Sequence, residues 1–124
     1  MRIILHEGKD DKKYIKRICN YLEIQVTDEN FYEMRDKSTF FKEENEIYQL
    51  IKANSRISKM LFVLDADYKT NDSVYGGCDN AQREILKMIE KLGLSDRSDY
   101  YITCDPTTKN GYFETLFSLV FQMI

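Results

Sequence analysis

Apolar and polar positions along this chain follow two rhythms, one of strands and one of helices. Residues 2 to 6 (RIILH) form a short apolar run closed by Gly8, the pattern of a buried strand and a tight turn. In DDKKYIKRICNYLEI, Tyr14, Ile15, Ile18, Cys19 and Leu22 recur at three- and four-residue steps, which predicts a helix with one apolar stripe. An extended segment is expected around residues 30 to 34. The stretch FFKEENEIYQLIKAN has helical spacing again, through Phe40, Ile47, Leu50 and Ile51, and Asn54-Ser55 offers a stop. The run from Met60 to Leu64 is continuously apolar, as in a central strand covered on both faces. NAQREILKMIEKLGL predicts another amphipathic helix, with Asp79 as its N-cap and Gly93 near its end. Residues 100 to 104 (YYITC) read as a strand ended by Pro106. The final YFETLFSLVFQMI places Phe113, Leu116, Phe117, Val120, Phe121 and Ile124 on one wide helical stripe. Strands alternating with helices imply βαβ units, hence an α/β three-layer sandwich around a mainly parallel sheet of about four strands.

The length of 124 residues fits a single domain, taken as 1–124. With 43% hydrophobic and 31% charged residues and one proline, the composition is that of a globular protein. A net charge of −3 argues against bulk attraction to polyanions, leaving only a local basic patch for that purpose. No apolar run approaches the roughly 20 residues that cross a bilayer, so no membrane association is expected and a cytoplasmic home is. Cys19, Cys78 and Cys104 are odd in number and widely spaced, and are expected to be reduced packing residues rather than zinc ligands.

Chemistry concentrates where apolar strands stop. The central run ends on Asp65 and Asp67, and the first ends on Glu7. In a parallel sheet these carboxylates share the rim at the carboxyl ends of the strands, where α/β folds bind ligands. Converging carboxylates repel unless a cation or a proton intervenes, and hard oxygen donors suit Mg²⁺ or Mn²⁺. Each half alone has a plainer role: Asp at a strand end is a common turn former, and Asp10 and Asp11 suit a helix start. Lys9, Lys12, Lys13, Lys16 and Arg17 supply positive charge near the rim, with Lys9 the best placed for phosphate; most of the others fit a solvated helix face. His6 is expected to pack or hydrogen-bond, and Asp72 and Asp79 to serve in the loop or as a cap.

LHEGKDDKKYI and LFVLDAD together resemble the two signature motifs of the Toprim superfamily, which spans topoisomerases, bacterial-type primases and nucleases of the overcoming-lysogenization-defect kind. Small stand-alone Toprim-like proteins are the most similar, because GYFETLF matches their late Gly-x-x-Glu segment. The chain ends sooner than members of that class tend to. The resemblance implies Glu7 as general acid or base, Asp65 and Asp67 as metal ligands joined by Glu7, and Gly8 for a tight turn. Asp11 and Glu114 are additional candidates, Glu114 also fitting a cap of the last helix. The loop YKTNDSVYGGCDN is longer than the turn after Asp-x-Asp in primase-type members.

The resemblance implies Mg²⁺-dependent phosphoryl transfer on nucleic acid, with hydrolysis of a phosphodiester the simplest reaction for a chain of this size. The alternative is a non-catalytic metal- or nucleotide-binding module working through a protein partner such as an ATPase, or through a second copy of itself at the apolar last helix. A phosphoacceptor receiver domain modified at Asp65 fits less well, since the chain has HEG where that fold wants an acidic pair.

Overall fold

The computed structural model describes residues 1–35, 37–54, 56–65 and 77–103, with Lys37, Ser38, Asp65 and Thr103 described by their backbone alone. Four described strands, β1 (Arg2–His6), β2 (Phe31–Glu33), β3 (Lys59–Asp65) and β4 (Ser98–Thr103), form one parallel sheet in the order β2-β1-β3-β4. Between them lie α1 (Lys9–Tyr21), the short α2 (Lys37–Phe40), α3 (Glu46–Ala53) and α4 (Cys78–Lys91). This is the expected α/β three-layer architecture.

The strand order dictates which helix covers which face. From β1 the chain steps one way to β2, then reverses across β1 to reach β3 and continues to β4. Parallel crossovers are right-handed, so reversing the direction moves the crossover to the opposite face. Accordingly α1 packs on one face, where Ile15, Ile18 and Cys19 meet Ile4, Phe31, Leu61 and Val63. On the other face Phe40, Tyr48 and Ile51, with Ile85, Met88 and Ile89, meet Ile3, Leu5, Met60, Phe62 and Leu64. Alternation along β3 thus feeds both cores, which is why its apolar run is unbroken and why Met60 to Leu64 are all buried.

Several boundaries differ from the sequence expectation. The second predicted helix is broken, because Asn45 ends one turn and starts the next. Its Oδ1 accepts from the Tyr48 N–H at 2.9 Å and its Nδ2 donates to the Thr39 carbonyl at 2.6 Å. The resulting register buries Tyr48, whose hydroxyl donates to the Phe40 carbonyl at 2.6 Å, and leaves Leu50 55% exposed. Tyr14, placed on the α1 stripe by spacing, is 41% exposed. The α4 N-cap is Gly77 rather than Asp79, which sits in the first turn, while Gly93 ends the helix in the left-handed region at φ +69°. Cys19 is a buried free thiol as expected, but Cys78 is disulfide-bonded, since separation along a chain sets no limit on separation in space. The predicted helix over 112–124 lies outside the described residues.

Phe62 is fully buried among side chains from β1, α3 and α4. Phe62→Ala is expected to lower the unfolding free energy by about 3–5 kcal/mol in urea titration, whereas a loss under about 1 kcal/mol would contradict a packed core at that face.

Candidate functional site

The reversal of winding puts the topological switch point between the carboxyl ends of β1 and β3, because the crossovers leave these neighbours toward opposite faces. Glu7 follows β1 directly, and Asp65 is the last residue of β3. Pairing sets Glu33, His6, Val63 and Tyr101 in one row across the sheet. Two residues further along each chain come Arg35, Gly8, Asp65 and Thr103, with Asp65 and Thr103 still paired. The expected meeting of the first and central strands at one rim is therefore present in the backbone. Asp67, Asp72 and Glu114 lie outside the described residues.

The turn carrying Glu7 is held from three sides. Buried His6, 1% exposed, donates from Nδ1–H to the Gly8 carbonyl at 2.7 Å, bridging across Glu7. The Gly8 N–H donates to Asp11 Oδ2 at 3.1 Å, so Asp11 closes the start of α1. From β2, the Met34 N–H donates to the His6 carbonyl at 2.7 Å and the Arg35 N–H to the Glu7 carbonyl at 3.0 Å, extending the ladder beyond the strand itself. His6 is thus the packing and hydrogen-bonding residue expected. Its ring meets Phe31 edge-on at 5.9 Å, and burial lowers its pKa against the raising effect of the Gly8 carbonyl bond.

Gly8 itself is extended, at φ −134° and ψ 174°, a conformation open to any residue, so the expected tight turn is not what calls for glycine here. Among the described residues a Cβ at Gly8 would meet nothing nearer than Asp11 Oδ2 at 4.0 Å. The space beside it belongs to a depression of about 630 Å³ lined by Glu7, Gly8, Lys9, Asp10 and Asp11 from the β1–α1 turn and by Glu33 and Arg35 from β2. Among the described residues four carboxylates outnumber two cations there, which favours a phosphate that enters together with a cation over a bare one. Among the described residues no three His, Cys, Asp or Glu side chains gather closely enough to hold a metal ion by themselves.

Sequence reasoning missed Glu33 and Arg35. Their only signal was two opposite charges just past a short apolar stretch, and their place on the rim depends on pairing with β1. The basic stripe of α1 is also partly committed elsewhere. Asp28 accepts from Lys16 at 2.7 Å and lies 3.0 Å from Lys12, and these two lysines hold its carboxyl down at about 2. Both ammonium groups also sit over the Phe31 ring, at 5.5 and 5.8 Å.

A family model described as a protein of unknown function, DUF3226, matches residues 1–115. The chain belongs to the DUF3226 family. The match takes in every described strand and helix of this DUF3226 chain together with Asp67 and Glu114. No curated protein and no solved structure matches it. No helix among the described residues is long and apolar enough to cross a membrane.

His6 is the only histidine of this DUF3226 chain, which isolates its contribution to pH-dependent stability. Its folded pKa lies below the ordinary 6.5, so the unfolded chain takes up the proton first as the pH falls. Its stabilising contribution is full above 6.5 and is lost as pH falls toward the lowered value. Urea titrations of the metal-free protein between about pH 7.5 and 5.5 should show a steeper loss for the wild type than for His6→Gln. Equal slopes would contradict a buried neutral imidazole.

Proposed function

We propose that this chain is a divalent-metal-dependent phosphoryl-transfer domain acting on nucleic acid, with phosphodiester hydrolysis as its reaction. The observation that carries the proposal is the placement of Glu7 and Asp65 at the ends of adjacent strands on either side of the switch in winding. The resemblance of LHEGKDDKKYI and LFVLDAD to the Toprim motifs supports it independently of the fold. The donor set of Glu7, Asp65 and Asp67 is all carboxylate, which suits Mg²⁺ or Mn²⁺. Asp65 and Asp67 would hold the ion, with Glu7 beside it. Such an ion supplies charge neutralisation at the phosphate oxygens. Glu7 moves a proton at the attacking or leaving oxygen, and the hydrogen bonds on either side of it hold its backbone in place. Lys9, exposed at the first position of α1, meets the phosphate.

Calorimetric titration with Mn²⁺ and Mg²⁺ is expected to show binding that Asp65→Asn/Asp67→Asn abolishes. Glu7→Gln should lower Mn²⁺-dependent cleavage of oligonucleotides by roughly 10²–10⁴-fold, the contribution typical of a positioned acid or base, while the fold is kept. Absence of metal binding at millimolar ion would overturn the proposal in favour of a non-catalytic module acting through a protein partner or a second copy.

A further inference from the structure

Lys9 and Arg35 are the two described cations on the depression, and neither has an ion pair among the described residues, whereas Lys12 and Lys16 of α1 share Asp28. Arg35 is held there at a conformational cost. Its φ of +71° is the left-handed region, unfavourable for a residue with a side chain, yet its N–H keeps the Glu7 carbonyl at 3.0 Å. β2 and β3 flank β1, and two residues beyond the paired row of Glu33, His6 and Val63 come Arg35, Gly8 and Asp65. Gly8 alone of these three has no side chain; its conformation does not require glycine, and among the described residues nothing stands nearer than Asp11 Oδ2, at 4.0 Å, to where its Cβ would go.

We infer that Arg35, with Lys9, grips a backbone phosphate of a nucleic-acid strand above Gly8, beside the metal position at the end of β3. The inference rests on the phosphodiester reading of this site and adds a direction to it: the strand crosses the rim from β2 toward β3, roughly perpendicular to the sheet strands. A guanidinium suits this task because its planar fork donates two hydrogen bonds to one phosphate. Gly8 leaves room for the phosphate that any larger residue would occupy. The carboxylates nearby make binding depend on a cation, which prevents the patch from taking anions indiscriminately.

The test is fluorescence anisotropy with a labelled twelve-residue oligothymidylate, in Mn²⁺, over a series of salt concentrations, on the full chain. Arg35→Gly removes the side chain while suiting the left-handed backbone, so it should fold at least as stably as the wild type, which thermal unfolding checks. It is expected to weaken binding about tenfold and to lower the slope of log affinity against log salt by about one. Arg35→Lys should keep the slope, Gly8→Val should weaken binding without loss of folding, and Lys91→Ala at the far end of α4 should change neither. Binding by Arg35→Gly equal to that by Lys91→Ala overturns the inference. Mn²⁺ binding by calorimetry without any oligothymidylate binding overturns the inference alone, and loss of both overturns the underlying reading with it. Equal binding with and without Mn²⁺ overturns the inference, whose site takes a phosphate only beside a bound cation.

Discussion

The fold depends on the position of β1. It is the strand that pairs on both sides before the winding reverses, with β2 on one flank and β3 on the other. Right-handed crossovers then leave no choice of faces: α1 must cover one side of the sheet and α3 and α4 the other. That one constraint acts in two places. Both faces of β1 and β3 become core, which requires the unbroken apolar runs seen at residues 3 to 5 and 60 to 64. The chain leaves the carboxyl ends of these same strands toward opposite faces, so residues placed just after them share a rim. A buried centre and a shared rim are parts of the same arrangement.

That rim is held by side chains and backbone together. Glu7 sits between a residue whose ring bridges to the Gly8 carbonyl and a helix start closed by Asp11, while the Arg35 N–H reaches its carbonyl from the neighbouring strand. These bonds fix the Glu7 backbone on both sides and so set where its carboxylate can reach. Two of the groups that do the holding are buried His6 and Arg35, whose backbone lies in the left-handed region.

The sheet, the order of elements and the shared rim were legible in the sequence because they derive from local periodicity and from the rule linking alternating strands and helices to parallel sheets. Met60 to Leu64 announced their place by lacking alternation. What periodicity could not supply was side-chain competition for the backbone. Asn45 breaks a helix that the spacing of Phe40, Ile47 and Ile51 carries straight through, since its amide serves both the turn before and the helix after. Arg35 and Glu33 escaped notice because their role is set by pairing between segments about 27 residues apart, as His6 with Glu33, and three residues of β2 carry almost no pattern. Gly8 was noticed for the wrong reason: its backbone is ordinary, and what distinguishes it is the space its missing side chain leaves. The DUF3226 match places these residues within one family segment without assigning them a role.

The central claim is that a divalent ion is held where β1 and β3 end, and paramagnetic broadening by substoichiometric Mn²⁺ in a two-dimensional amide spectrum tests it most directly. The account predicts that the signals of Glu7, Gly8 and Asp65 fade first, while Arg2, Lys59 and Ser98 at the opposite ends of the strands stay sharp. Broadening centred on Asp28, on the first turn of α4, or nowhere in the chain would contradict it.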